Sequence, residues 1–172
     1  MPTFIHKPTG KKVFFAHIPR TAGRYVEANL LWKNDFEWCE SHLDTGNGVM
    51  TMMYGSEIAH WHKELYEEHL DVKYIPNFSI LRNPINRFIS GSVYLKRLYG
   101  NNSQELFEDP NLFFSMLANI PMMDPSFSAN WFMPQVEFMT ERTHIWKFED
   151  SMGDNFVEWL SDLIGVQLKF DK

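Results

Sequence analysis

Two arginines bracket a turn of small residues in the stretch VFFAHIPRTAGRYVEANL. Arg20 and Arg24 flank Thr-Ala-Gly, which follows an apolar run and precedes a helical pattern. The first N–H groups of a helix have no partner within it, and the helix dipole is positive at that end. A strand, a tight turn and a helix N-terminus therefore predict an anion-binding site. The Walker pattern of ATP and GTP hydrolases is absent, and the alternative is an ordinary strand-to-helix connection.

The second polar turn, SILRNPINRFISGS, has the same order of elements. Arg82 follows an apolar run, Pro84 occupies a favourable first position of a helix, and Ser90 lies two turns further on. The guanidinium of Arg82 can bind a phosphate through two parallel hydrogen bonds, and Ser90 can add a hydroxyl. Arg87 is predicted to point elsewhere or to form an ion pair. The alternative is a pair of surface arginines beside a helix cap.

Apolar runs alternate with helical patterns along the chain, which places both arginine turns at the ends of strands. Three strands are predicted, over Val13–Ile18, Tyr74–Leu81 and Thr143–Asp150. Four helices are predicted, over Tyr25–Trp32, Ser56–Leu70, Ile85–Tyr99 and Asp154–Ile164, the last ending at Gly165. A strand in VMTMMYG and an interrupted helical region over residues 110–140 complete the pattern. Such alternation predicts an α/β fold of three layers, with a central parallel sheet flanked by helices and ligands at the carboxyl ends of the strands.

Length and composition limit the classes of protein to consider. The chain has 172 residues, of which 44% are apolar, and this predicts one domain over residues 1–172. Its net charge is −6 and its pI about 5.6, so a nucleic-acid partner is not expected. Cys39 is the single cysteine, and the sequence contains neither an apolar signal core nor a membrane-spanning run. We therefore expect a cytoplasmic protein without a membrane span, of undefined oligomeric state.

Both turns resemble the nucleotide-binding segments of sulfotransferases. FFAHIPRTAGRYV is similar to the family's 5′-phosphosulfate-binding segment, H-I-P-K-T-A-G-[ST]. ILRNPINRFISG is similar to its 3′-phosphate-binding segment, L-R-D-P-x-x-R-x-x-S. The later sequences NWFMPQVEFM and THIWKFED resemble a Pro-Gln segment and a following strand that ends in Phe-Glu-Asp. The resemblance extends from about Val13 to Gly165, and it is strongest for the carbohydrate-acting branch, which includes heparan sulfate 2-O-sulfotransferase.

The resemblance implies an enzyme with the P-loop-like nucleotide-binding fold of that family. Such enzymes transfer the sulfuryl group of 3′-phosphoadenosine 5′-phosphosulfate (PAPS) to a hydroxyl, here of a sugar or polysaccharide. They release adenosine 3′,5′-bisphosphate (PAP), and no metal is implied. By the motif match, Arg82 and Ser90 hold the 3′-phosphate, and Arg20 accompanies the sulfuryl group. The backbone implied to hold the 5′-phosphosulfate is that of Arg20, Thr21, Ala22, Gly23, Arg24 and Tyr25.

Two histidines between the motifs supply a candidate base. SEIAHWHKEL is similar to the His-x-His segment of 2-O-sulfotransferase, which makes His62 the base and His60 a supporting polar contact. Imidazole suits this role because its pKa is close to neutral. If residues 57–70 form one helix, however, the two side chains point about 200° apart and only one faces the cleft. Glu57 is a further candidate, because other branches use a glutamate, and a metal site lacks additional ligands at suitable spacing.

Three positions depart from the family pattern. Arg20 replaces the usual Lys, Arg24 replaces Ser or Thr, and Asn83 replaces Asp. Arginine does not donate a proton, but it can neutralise charge that develops on the leaving phosphate. Arg24 either adds a phosphate contact or collides with the cofactor. The alternative to an enzyme is a non-catalytic nucleotide-binding module. It is favoured by these changes and by a chain that ends soon after the last family-like helix. A kinase is a weaker one, because the Walker lysine and magnesium ligands are missing.

Overall fold

The computed structural model describes residues 3–39, 52–53, 56–99, 109, 111 and 130–171. The strands of this part are β1 (Thr3–His6), β2 (Lys12–Phe15), β3 (Phe36–Trp38), β4 (Met52–Met53), β5 (Ser56–Glu57), β6 (Asn77–Leu81) and β7 (His144–Lys147). Five of them form one mixed sheet in the order β3-β1-β2-β6-β7, and β4 pairs with β5 in a separate antiparallel ladder.

Four α-helices accompany the sheet in the described part of the chain. They are α1 (Gly23–Lys33), α2 (Lys63–His69), α3 (Pro84–Tyr99) and α4 (Asp154–Ile164). Short 3₁₀ turns lie at Ile58–His60, Gln135–Phe138 and Phe148–Asp150. Within the described ranges, none of the helices combines the length and the apolar character that a membrane crossing needs. The α/β class predicted from the sequence is confirmed.

Both faces of β2 are buried, as its uninterrupted apolar sequence predicts. Val13 and Phe15 point into one hydrophobic cluster, and Phe14, between them, points into another. The first cluster contains, among others, Val26 and Leu30 of α1 and Phe156 and Leu160 of α4. The second contains, among others, Trp61, Tyr66 and Phe138. Because β2 is fixed from both sides, the turn that follows it has a rigid support.

The sheet is only partly parallel, which corrects the prediction of a parallel sheet throughout. Strands β2, β6 and β7 are parallel neighbours. Strand β1 was not predicted, and it pairs antiparallel with both β2 and β3. The sequence HKPTGKK is the turn of the β1–β2 hairpin, where Gly10 has a φ of +70° and donates its N–H to the His6 carbonyl. Strand β1 has only four residues, which is too short for an alternation of apolar and polar residues to be recognised in the sequence.

The predicted helix over Ser56–Leu70 is wrong. Residues 56–57 belong to β5, residues 58–60 form a 3₁₀ turn, and α2 covers only Lys63–His69. His62 precedes α2 with an extended backbone, at φ −78° and ψ 169°. The apolar spacing of Trp61 and Leu65 resembled one helical face, but Trp61 is buried ahead of the helix. The two histidines therefore do not occupy positions of one helix, and the argument from their helical spacing does not apply.

The remaining predicted elements differ from the structure mainly at their ends. The predicted strand over Tyr74–Leu81 begins at Asn77, and the one over Thr143–Asp150 is β7 followed by a 3₁₀ turn. The Gly165 N–H donates to the Ser161 carbonyl and ends α4, as predicted. Of the strand in VMTMMYG, only Met52–Met53 is described. Most of the interrupted helical region over 110–140 lies outside the described residues.

Arg87 points elsewhere, which was one of the two predicted alternatives, and it is buried, with 6% of its surface exposed. Its Nε donates to the Pro19 carbonyl at 3.0 Å, and its Nη1 donates to the Met133 carbonyl at 2.9 Å. Burial lowers the pKa of Arg87 to about 10, so the guanidinium stays charged at neutral pH. Arg87 thus ties the turn after β2 to the chain segment around Met133.

Replacing Arg87 by Met tests this tie. Met keeps much of the volume of the arginine stem but leaves two buried carbonyls without their donors. We expect Arg87→Met to lower the free energy of unfolding by about 2 to 4 kcal/mol. Arg142→Met is the matched control, because Arg142 is exposed and donates to a single carbonyl, that of Lys73. Urea unfolding of both variants measures the difference, and equal losses of stability would contradict the structural role of Arg87.

Candidate active site

A cleft of about 330 Å³ lies at the carboxyl ends of β2 and β6, between the two arginine turns. Its lining comes from six parts of the chain: the β2–α1 turn, the 3₁₀ turn before α2, the β6–α3 turn, the middle of α3, the segment at Trp131 and the 3₁₀ turn after β7. The lining residues are His17, Pro19, Arg20, Ala22, Gly23, Arg24, His60, Arg82, Ser90, Tyr94, Trp131 and Phe148. The structure therefore brings together, in one cleft, both turns that the sequence marks for anion binding.

The β2–α1 turn has an unusual backbone. Arg20 and Ala22 both adopt the left-handed conformation, at φ 69° and 71°. The buried hydroxyl of Thr21 donates to the Ile18 carbonyl at 2.7 Å and holds the turn in this shape. The N–H of Tyr25 already donates to the Ala22 carbonyl, whereas the N–H groups that begin a helix lack intrahelical partners. The positive end of α1 is consequently presented at the floor of the cleft.

Gly23 is required by the packing of this turn. A Cβ built on Gly23 lies 1.7 Å from Nε2 of His17, so the imidazole fills the space that any side chain needs. The His17 ring stacks in turn on Phe15, with ring centroids 5.1 Å apart. The close approach of the ring fixes the first turn of α1 against the end of β2.

Arg20 connects the two turns. Its Nε and Nη2 donate to the Ser90 hydroxyl of α3, at 3.3 and 3.1 Å. Its guanidinium carbon lies 4.4 Å from the centroid of the Tyr94 ring, one turn further along α3. The residue that the resemblance assigns to the sulfuryl group thus contacts the residue assigned to the 3′-phosphate. Two predicted anion sites therefore lie within the reach of one arginine side chain.

Arg82 is held in place by contacts with Arg20, Phe148 and Gln135. Its Nη1 donates to the Arg20 carbonyl at 3.2 Å, and its guanidinium stacks 4.7 Å from the Phe148 ring centroid. Gln135 accepts from the backbone N–H of Arg82 and donates to its carbonyl, at 3.0 and 2.8 Å. Nε of Arg82 is buried and has no hydrogen-bond partner among the described residues. That donor is available to an anion after a small adjustment of the side chain.

Three of the predicted nucleotide-binding residues, Arg24, Thr21 and Tyr25, differ in where their side chains lie. Arg24 is exposed on the cleft wall, and its guanidinium can reach a bound anion. Thr21 is buried and shapes the turn. The Tyr25 side chain lies away from the cleft, where its hydroxyl donates to the carbonyl of Asp171 at 2.8 Å. Burial and the Asp171 carboxylate raise the pKa of Tyr25. The side chains of Thr21 and Tyr25 are thus engaged within the protein, and neither residue belongs to the cleft lining that the structure describes.

The two histidines are separated by the extended link before α2. His60 lines the cleft, whereas His62 is absent from the part of the cleft wall that the structure describes. His62 is buried at the N-terminus of α2, and burial lowers its pKa although Glu64 and Glu137 oppose the shift. A base at His62 stays a prediction, and the geometry favours His60. The side chain of Glu57 lies outside the described part.

Two further residues at the cleft, His17 and Glu27, were not singled out from the sequence. Nδ1 of His17 lies 3.1 Å from Oε1 of Glu27, and the His17 and His60 ring centroids are 4.8 Å apart. Burial alone raises the pKa of Glu27, but the charges of His17 and His60 lower it below its usual value. The signal was present in the sequence, because Glu27 follows Gly23 by four residues and therefore lies on the same face of α1. Across the described ranges, no cluster of three or more metal-ligating side chains is found.

Comparison with known proteins gives one match. A family model described as "Sulfotransferase family" matches residues 2–152. The matched region contains both arginine turns, the two histidines and the Gln135 segment. No curated protein and no solved structure matches the chain. At the level of the family, the resemblance drawn from the two turns is confirmed.

Substituting Gly23 tests the close packing at the floor of the cleft. A methyl group at this position must displace the His17 imidazole, so we expect Gly23→Ala to lower the free energy of unfolding by about 2 kcal/mol or more. Gly153→Ala is the control, because a Cβ there meets only the Ser151 hydroxyl at 3.5 Å. Urea unfolding measures both variants. A Gly23→Ala protein as stable as the control would show that the His17 ring does not limit the turn.

Proposed function

The chain belongs to the sulfotransferase family, and from this premise we propose that it transfers the sulfuryl group of PAPS to a hydroxyl of a carbohydrate. The family membership supports a sulfotransferase with a hydroxyl-bearing acceptor. The donor, the sugar and the base are the parts that we propose. One observation carries the choice of donor: Arg82, Ser90 and the left-handed turn at Arg20 line a single cleft.

The donor site that we propose has two anion-binding halves. The 3′-phosphate is held by Arg82 and Ser90, and the 5′-phosphosulfate by the backbone of residues 20–25. One feature of the chain fits such a ligand: the buried Nε of Arg82 has no hydrogen-bond partner among the described residues. The exposed guanidinium of Arg24 supplies a further positive charge to the phosphosulfate.

PAPS supplies an activated sulfuryl group, and the residues of this chain position it. The acceptor oxygen forms a bond to sulfur while the bond from sulfur to the bridging phosphate oxygen breaks, and the electron pair leaves with PAP. Arg20 neutralises the charge that develops on the leaving phosphate. A charge that is already in position stabilises the transition state without having to reorganise during the reaction. Arg20 does so without donating a proton, because guanidinium stays protonated in proteins. Positioning and electrostatics therefore account for the transfer step.

We assign the base to His60 in this proposal. His60 lies on the cleft wall beside the β2–α1 turn, and a general base has to reach the proton that it removes. Its backbone carbonyl accepts from the Asn130 side-chain amide at 3.1 Å, which holds the 3₁₀ turn in place. His62 then serves to begin α2, in agreement with its burial and extended backbone.

The choice of a carbohydrate acceptor rests on the resemblance to the carbohydrate-acting branch and on the aromatic wall of the cleft. Tyr94 and Trp131 pack edge to face, with ring centroids 4.9 Å apart, and both line the cleft. Aromatic rings offer an apolar surface together with a polar tip to a partly apolar ligand. The proposal also includes a three-layer, P-loop-like nucleotide-binding fold and a cytoplasmic location.

One observation favours a non-catalytic module as the second candidate. The Arg20 guanidinium is held by Ser90 and Tyr94, so the residue assigned to the sulfuryl group is engaged at the 3′-phosphate half. If Arg20 keeps these contacts when a nucleotide binds, it cannot follow the sulfuryl group. The chain then binds PAPS and PAP without transfer. Tight PAP binding combined with no PAP formation from PAPS, across all acceptors, identifies this case.

Calorimetric titration with PAP tests the donor site. We expect PAP to bind the wild-type protein more tightly than adenosine 5′-phosphate, because only PAP uses the 3′-phosphate half. Arg82→Ala should weaken PAP binding about 10- to 100-fold and leave adenosine 5′-phosphate binding nearly unchanged. Arg142→Ala, an exposed arginine outside the cleft lining, is the control. Equal affinity of the wild-type protein for the two nucleotides would rule out the PAPS assignment.

Alanine substitution of each histidine tests the base. We expect His60→Ala to lower kcat about 100-fold or more, the usual contribution of a general base. His62→Ala should lower kcat less than about 10-fold, because it acts only through α2. PAP formation from PAPS is measured with unsulfated polysaccharides and simple sugars as acceptors. The opposite pattern would return the base to His62.

A further inference from the structure

A partly buried carboxylate lies beside two histidines of the cleft wall. Glu27, on the cleft-facing side of α1, pairs through Oε1 with Nδ1 of His17 at 3.1 Å. His17 is only 6% exposed, and its ring meets the His60 ring edge to face at 4.8 Å and 66°. A partly exposed carboxylate, a buried histidine and a second histidine of the cleft wall thus lie next to one another.

The pairing defines how His17 is protonated. The pKa of Glu27 is low despite its burial, because the positive charges of His17 and His60 oppose the effect of desolvation. An ionised carboxylate accepts hydrogen bonds only, so a hydrogen bond across the 3.1 Å between Oε1 and Nδ1 requires the proton to be on Nδ1 of His17. Nε2 of His17 then faces Gly23, where the ring fills the place of a side chain. The stacked Phe15 ring and the close approach to Gly23 restrict the position of this imidazole.

We propose that Glu27 and His17 are positioning residues that orient His60 and stabilise the proton which His60 accepts from the acceptor hydroxyl. This inference rests on the proposed function. The O–H proton of the acceptor passes to an imidazole nitrogen of His60 as the new oxygen–sulfur bond forms. The electron pair of the broken sulfur–oxygen bond leaves with PAP. Glu27 remains ionised throughout, and its negative charge stabilises the imidazolium that results.

The other charges at the cleft are positive, so a nearby carboxylate is needed to favour the protonated form of His60. Arg20, Arg24 and Arg82 line the same cleft as His60 and disfavour a further positive charge there. His17 adds to this effect whenever it is protonated. The Glu27 charge acts in the opposite direction on both imidazoles. Because the attraction between two charges is mutual, the same interaction that keeps Glu27 ionised favours the protonated form of His60.

Replacing Glu27 by Gln tests the inference, because it removes the charge and keeps the shape. We expect kcat to fall about 10- to 100-fold while the affinity for PAP stays within about 2-fold of wild type. The acidic limb of the kcat profile should move to lower pH by about one unit, since His60 loses the charge that favours its protonation. Glu158→Gln, an exposed position on α4, is the matched control and should change neither quantity.

A second readout does not depend on activity. NMR titration of the His60 imidazole should give a midpoint at lower pH in Glu27→Gln than in wild type. Glu27→Asp, which keeps the charge but moves it away from His17, should give a smaller shift in the same direction and serves if Glu27→Gln does not fold. An unchanged His60 midpoint overturns the inference, whatever the activity. If PAP does not bind and nothing is transferred, the proposed function fails, and the midpoint still decides whether Glu27 acts on His60.

Discussion

The packing of the His17 imidazole against Gly23 is the contact on which the arrangement of the cleft depends. It leaves no room for a Cβ at the first residue of α1, and so it fixes the start of this helix against the end of β2. The turn between them carries left-handed residues at positions 20 and 22. Two arginines then hydrogen-bond to carbonyls of this turn, Arg87 to that of Pro19 and Arg82 to that of Arg20. Because α3 begins at Pro84, two residues after Arg82, these contacts connect the start of α3 with the turn that leads into α1.

The placement of the two arginine turns at one edge of the sheet was predictable from the sequence, whereas the contacts that connect them were not. Strand–turn–helix patterns with arginines at the turns place anion-binding groups at one sheet edge, because parallel strands end there together. The contacts of Arg87 and Gln135 join residues about 50 or more positions apart, and no local periodicity records them. The helix predicted around His60 and His62 is wrong for a different reason. Apolar residues from a 3₁₀ turn, an extended link and a short helix happened to share a helical spacing.

The charge distribution explains how an acidic protein can present a site for a multiply charged anion. The chain has a net charge of −6, but three guanidinium groups line one cleft of about 330 Å³. Charges farther from a ligand than a Debye length are largely screened, so the charges close to the cleft determine how strongly an anion is attracted. The net charge of the protein is therefore a poor guide to anion binding. Burying several cations together is costly unless acceptors are nearby. The Arg20 carbonyl, the Ser90 hydroxyl and the aromatic faces of Tyr94 and Phe148 stabilise the guanidinium groups of Arg20 and Arg82.

The central claim is that both arginine turns bind one nucleotide at the same time. Phosphorus NMR of PAP during titration with the protein addresses it directly, because the 3′- and 5′-phosphates give separate signals. The account predicts that both signals change together and in proportion to the protein added, since the two halves of the cleft are joined through Arg20. A change in only one of the two signals, or in neither, would contradict the account.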